Sequence, residues 1–208
     1  MPSPSTNSST TAADSSGPQG MIGDAEGDIA ALVYRSGDSP DIVLCDFARR
    51  LTVAGRKVCG LVQLREGVAP GAPRKVVVLG GWQVVDVAPK TDGETRCSLD
   101  DDWLDRMAGE VRASIARGVD LVIVNRFGPL ELAGRGFRDS IVAASATETP
   151  LVIAVPEFEF EHWTRFSNGM TVRLDCTLQA LQVWWQPRTE SRSKQRPDRN
   201  ERACELIK

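Results

Sequence analysis

Little in this 208-residue chain invites metal, disulfide, membrane or nucleic-acid chemistry, and each shortage closes a class of function. There is one histidine, His162, so a zinc or iron centre built on imidazoles is excluded. The five cysteines stand at 45, 59, 97, 176 and 204, an odd number without a C-x-x-C pair. That pattern argues against a disulfide framework and predicts reduced, mostly buried thiols. Positive charge is not in excess: 25 Lys+Arg face 28 Asp+Glu, a formal net charge of -3. A general nucleic-acid binder needs a basic face to displace phosphate counterions, so that class falls away. No apolar run approaches the ~18 residues of a membrane span. The first residues lack the basic and apolar regions of a secretory signal, which makes the cytoplasm the expected compartment. With no second imidazole and no G-x-S-x-G context, a serine triad is unsupported as well.

What is present is a globular middle between two polar ends. Hydrophobic residues at 41% and charged residues at 25% suit one soluble domain of ordinary size. Ser, Thr, Pro, Ala and Gly fill Pro2 to Gly20, too little apolar surface to offset ordering, so residues 1–27 are expected to be disordered, with Met1 and Met21 both candidate starts. A basic tail is expected over 187–208, also disordered, leaving 28–186 as the folded domain. Ile29–Tyr34 reads as a strand, and Ser39-Pro40 as an N-cap followed by proline at the first helical position. That helix is expected to bury Ile42, Cys45, Ala48 and Leu51 and to stop at Gly55. Val58–Leu64 reads as a strand, 66–73 as a loop, and Lys75–Leu79 with Trp82–Val87 as a β-hairpin. Helical spacing over Asp100–Arg117, with Asp100-Asp101-Asp102 at its positive end, gives way to the fully apolar strand Leu121–Val124. Phe137–Thr147 reads as helix, Pro150–Val155 as strand and Glu157–Phe166 as a short helix. Met170–Leu174 and Thr177–Trp185 close the domain. Strands alternating with helices predict a three-layer α/β fold with a mainly parallel sheet and an inserted β-hairpin.

In open parallel sheets ligands bind beyond the carboxyl ends of the strands, which singles out the turn after Tyr34 and the segment Asn125–Glu131. Asn125, Arg126, Arg135 and Arg138 gather there around Gly128, Gly134 and Gly136, and arginine forks with backbone N–H groups are the usual parts of an oxyanion or phosphate site. Simple turn formation, with Glu131 paired to an arginine, is the alternative. Cys97 follows Arg96 just before a helix start, a setting that lowers a thiol pKa; an inert buried thiol is the alternative there. His162 reads as a surface or half-buried residue, and Trp163, Trp184 and Trp185 as packing.

The stretch Val119–Phe137 (VDLVIVNRFGPLELAGRGF) resembles a bacterial family of unknown function in which an Asn-Lys-Phe-Gly turn leads to a Glu and a Gly-Arg-Gly-Phe segment. GRKVCGLVQ at 55–63 and CSLD at 97–100 echo the same family, and the likeness spans about residues 29–186. The region 65–95 departs from it, lacking a Cys-Asp-Met and an Ile-Ser-Gln segment. That family is similar in turn to the thermophile-type nucleoside-triphosphatases of the P-loop class, whose equivalent turn is Asp-Glu-Ile-Gly-Pro-Met-Glu. The resemblance implies a P-loop-NTPase-like fold, and, because the family is often encoded beside molybdate-uptake genes, a link to molybdenum or oxyanion metabolism.

A working phosphate loop needs G-x-x-x-x-G-K-[ST]. Here Tyr34-Arg35-Ser36-Gly37-Asp38-Ser39-Pro40-Asp41 puts Pro40 where the lysine belongs and Asp41 where the hydroxyl belongs, with Arg35 the nearby cation. Asn125 and Arg126 stand where the relatives' Asp-Glu pair serves magnesium and water, and an arginine cannot bind a cation. Neither magnesium nor zinc is strongly signalled, and ordinary magnesium-dependent hydrolysis is not expected. Arg35, Gly37, Cys97, Asn125, Arg126, Gly128, Arg135 and Gly136 are therefore candidate ligand-binding residues for a nucleotide or oxyanion. Two other functions stay open: a phosphoester hydrolase with Glu131 as base, and a protein-interaction scaffold, for which the sequence names no partner.

Overall fold

The computed structural model describes residues 27–64, 73–87 and 99–195, the stretch 189–195 by its backbone only. The proposed starts at Met1 and Met21, the segment 1–26, most of the loop expected at 66–73, Cys97, and residues 196–208 lie outside the described residues.

Within them the chain runs β1 (Ile29–Tyr34), α1 (Pro40–Val53), β2 (Val58–Gln63), β3 (Arg74–Val78), β4 (Gln83–Val87), α2 (Asp101–Ala116) and β5 (Leu121–Asn125). It continues through α3 (Pro129–Leu132), α4 (Arg138–Ala146), β6 (Leu151–Pro156), a 3-10 turn at Glu157–Glu159, α5 (Phe160–Phe166), β7 (Val172–Asp175) and α6 (Leu178–Gln195). One seven-stranded sheet has the order β4-β3-β2-β5-β6-β1-β7. β2, β5, β6, β1 and β7 are parallel, and the β3–β4 hairpin is added antiparallel at the β2 side. The three-layer, mainly parallel α/β arrangement with a hairpin is thus present, and it is compatible with a P-loop-like fold.

Alternation along each strand separates two cores. Ala31 and Val33 of β1 face Leu104 and Val111 of α2, Ile141 of α4 and Trp163 of α5. Ala30 and Leu32 face Leu44 and Phe47 of α1 and Leu181 and Trp184 of α6. Burying each of the leucine, valine, isoleucine and phenylalanine side chains contributes about 1.5–3 kcal/mol, so both faces of the sheet are firmly covered.

Two sequence expectations are corrected. The buried stripe of α1 is Leu44, Phe47, Ala48 and Leu51, while Ile42 is 66% exposed and Cys45 only half-buried. Phe47, packed edge-on to Trp185 at 6.3 Å, rotates the stripe. The tail expected from 187 is helical as far as Gln195. Pro187 removes one helical hydrogen bond, but the next residue holds the helix in place. Arg188 lies over the Trp184 ring at 4.3 Å, donates to the carbonyls of Trp184 and Gly27, and pairs with Asp28 at 3.4 Å. The Trp184 indole donates to the Gly27 carbonyl too, at 3.1 Å.

The topology also marks a crevice. β1 leaves the sheet towards α1 on one face, and its neighbour β6 leaves towards α5 on the other. Such a reversal between adjacent parallel strands opens a gap beyond their carboxyl ends.

Candidate functional site

The turn after β1 is short and closed on itself. Only residues 35–39 link Tyr34 to Pro40. Asp38 N–H donates to the Arg35 carbonyl at 3.1 Å, and Arg35 N–H donates to the Asp38 carboxylate at 2.7 Å. Gly37 supplies the left-handed φ of 102° that this tight turn requires. Pro40 and Asp41, both buried, occupy the first turn of α1, where one lacks an N–H and the other brings a carboxylate to the positive helix end. The Arg35 side chain reaches across the crevice to Glu157, with contacts of 2.8 Å from Nε and 2.7 Å from Nη2. Arg173 joins the same carboxylate at 3.3 Å while covering the Phe160 ring. These bonds, Arg35's first, hold the Glu157 carboxyl below its ordinary pKa.

The second turn follows β5. Asn125 ends the strand, 8% exposed, and donates to the Gln63 carbonyl over a long 3.4 Å. Phe127 is pinned by its N–H to the Ala154 carbonyl and by ring contacts with Trp163 at 5.1 Å and Phe166 at 5.4 Å. This buried anchor leaves Arg126 outside. Glu131 then fastens the turn from within: its carboxylate accepts from Gly128 N–H at 3.0 Å and from Phe137 N–H at 3.2 Å. Burial pushes its pKa up, only partly countered by those backbone donors. Both oxygens of Glu131 therefore hold backbone, a positioning geometry. Gly136, at φ 58°, gives it room, since a Cβ there would lie 2.7 Å from Oε1.

Sequence reading placed Arg35 and Gly37 with Asn125, Arg126, Gly128, Arg135 and Gly136. The structure puts all seven on turns or strand ends at the carboxyl edge but gives them separate tasks. Arg135 pairs with Asp101 at 2.8 Å and Asp105 at 3.6 Å, bracing α2. Gly128 caps α3. Arg126 and Arg138 are exposed and make no ion pair among the described residues. Asp100 caps α2 by accepting from Trp103 N–H at 2.8 Å, and His162 is a surface residue on Glu159. No group of three or more His, Cys, Asp or Glu suited to a metal exists among the described residues. Burial pushes the Cys59 thiol up to about 12, and Cys45 and Cys176 to about 11, all unreactive settings. Glu157 and Arg173 were missed. The signal was available, because Glu157 directly follows an apolar strand, the position where switch-point residues fall.

Residues 29–184 match the model of a family described as "Protein of unknown function (DUF2478)", and the chain belongs to that family. It is also similar to the "Molybdenum import ATP-binding protein ModC 2" of Bradyrhizobium diazoefficiens, at 32% identity over 182 residues. That alignment takes in 86% of this chain and 20% of the relative, so the chain spans about a fifth of the relative's length. No solved structure matches the chain.

Proposed function

We propose that this family member is a ligand-binding or regulatory protein for an oxyanion, tied to molybdenum metabolism, on a P-loop-like fold whose phosphate loop is degenerate. The observation that carries the reading is the division of labour among the arginines at the carboxyl edge. Arg35, Arg135 and Arg173 rest on carboxylates, whereas Arg126 and Arg138 have no ion pair among the described residues. Arg138 is also the first residue of α4, where a cation opposes the helix dipole and a bound anion would offset it. Arginine forks suit tetrahedral oxyanions, and the anchored Phe127 turn leaves Arg126 exposed at this edge. The relative's name supports the molybdenum link, and its ATP-binding description makes a nucleotide the second ligand to test.

Several features speak against hydrolysis: the closed five-residue turn, Pro40 and Asp41 at the helix start, and Asn125-Arg126 in place of carboxylates. Calorimetric titration of the full chain with molybdate, tungstate, sulfate, phosphate and ATP, with and without magnesium, tests both halves. Molybdate or tungstate should bind saturably. Losing one charge-assisted contact is worth ~1.5–3 kcal/mol, so Arg126→Ala or Arg138→Ala should weaken binding by about 10- to 100-fold. No heat with any anion would overturn the ligand reading; magnesium-dependent phosphate release from ATP would overturn the non-hydrolytic one.

A further inference from the structure

The connection between β5 and α4 carries a mirrored pair of tripeptides, Arg126-Phe127-Gly128 at its start and Gly136-Phe137-Arg138 at its end. The fold gives the two halves matching parts. Phe127 and Phe137 are buried in the same core, 1% and 3% exposed, and each leaves its neighbouring arginine outside. Glu131 joins the halves, since one carboxylate oxygen accepts from Gly128 N–H at 3.0 Å and the other from Phe137 N–H at 3.2 Å. The two arms are thereby held one carboxylate and two hydrogen bonds apart. Arg138 folds back over the loop between them, its Nη1 3.9 Å from where a Cβ on Gly134 would stand. Neighbouring carboxylates are engaged elsewhere: Asp139 pairs with Arg112 at 3.1 Å, and Asp101 with Arg135 at 2.8 Å.

We propose that Arg126 and Arg138 close as a pincer on one and the same tetrahedral dianion, and that Glu131 is the positioning residue that sets their spacing. The inference rests on the oxyanion reading above and adds a stoichiometry and a spacer to it. Two guanidinium groups tethered to one short loop repel each other, and a shared dianion replaces that repulsion with charge-assisted pairs to both. The spacer has to be a carboxylate of glutamate length. A glutamine offers one acceptor to two N–H donors and sets its own NH2 against the second. An aspartate keeps both acceptors but is one methylene shorter than the span. Gly136 belongs to the device, because a Cβ there would meet Oε1 at 2.7 Å. Coulomb's law alone gives the opposite sign: removing a negative charge beside an anion site strengthens anion binding.

Calorimetric titration of the full chain with tungstate reads stoichiometry and affinity together. One anion should bind per chain, and Arg126→Ala and Arg138→Ala should each weaken that single event. Glu131→Gln and Glu131→Asp, titrated well below their melting temperatures, should each weaken it by about tenfold or more, the scale on which groups that orient a ligand contact act. Two anions per chain, each lost with one arginine, would overturn the pincer. Tungstate held as tightly by Glu131→Gln as by the wild type, or more tightly, would overturn the spacer. A wild type that binds no tungstate sinks the oxyanion reading and the pincer with it, and the spacer is then decided without ligand. Spin labels carried on unnatural side chains at 126 and 138 of the anion-free chain should give one narrow distance distribution, broadened by both Glu131 substitutions. A distribution that neither substitution alters would overturn the spacer whether or not an anion binds.

Discussion

The contact between Gly136 and Glu131 offers the most exacting check on how the β5–α4 turn is held. Replacing Gly136 by Ala adds a Cβ 2.7 Å from Glu131 Oε1 at a backbone φ of 58°. The left-handed conformation alone costs an alanine ~1–2 kcal/mol. Oε1 cannot retreat freely, because it accepts from Phe137 N–H at 3.2 Å while its partner oxygen accepts from Gly128 N–H at 3.0 Å. Displacing it forfeits a hydrogen bond to a charged group, ~1.5–3 kcal/mol. The two effects together come to about 2.5–5 kcal/mol, a melting drop of roughly 5–20 °C for a chain of this size. Urea unfolding followed by tryptophan fluorescence should measure it in wild-type and Glu131→Ala backgrounds. Without the carboxylate only the conformational cost survives, so the two substitutions should be coupled by ~1.5 kcal/mol or more. A cost under ~0.5 kcal/mol, or equal costs in both backgrounds, would refute this account of the turn.

Gly60→Ala should be harsher still. Its Cβ would fall 1.9 Å from the Ile123 carbonyl oxygen in the neighbouring strand, and no flexible side chain is there to yield; loss of soluble, cooperatively unfolding protein is the expected readout. Glu131 should leave a signature in pH. Its folded carboxyl sits above the ordinary 4.5, so the folded state binds that proton more tightly than the unfolded chain. The contribution of Glu131 to stability therefore rises as pH falls through its folded pKa and levels off below the unfolded value. In urea unfolding, the stability of the wild type relative to Glu131→Gln should increase as pH falls from 7 to 4.5, and a difference that stays constant or moves the other way would contradict it. Glu157 behaves oppositely: carbon-detected NMR should find it titrating below 4.5, and Arg35→Ala should move it back up.

Much of the fold was legible because the strands carry it. β1 and β6 are buried along their whole length, the sign of a sheet covered on both faces, and the acidic cap at Asp100 starts α2 where the sequence placed it. Periodicity did not reveal which stripe of α1 turns inward. Apolar residues at 42, 44, 45, 47, 48 and 51 permit two faces, and the choice depends on Trp185, far along the chain. The site was legible by position and not by pairing. Arg35 meets a carboxylate 122 residues away, and Arg188 overrides Pro187 through a carbonyl 161 residues away. Such partners leave no local trace, so a lone arginine in a glycine-bearing turn looks like a phosphate ligand until its carboxylate is seen.

The clasp of Trp184 and Arg188 on Gly27 has a consequence for architecture. It fastens α6, the last helix among the described residues, to the residue that leads into the first strand, so the start of β1 and the far half of α6 share one doorway. That doorway lies at the amino end of the sheet, with the full length of the strands between it and Arg126 and Phe158. A fold with this plan behaves as a cassette. Sequence added before Gly27 would join the fold beside Trp184 and Arg188, at the opposite end of the strands from Arg126. The match to about a fifth of a much longer relative is the arrangement such a cassette allows.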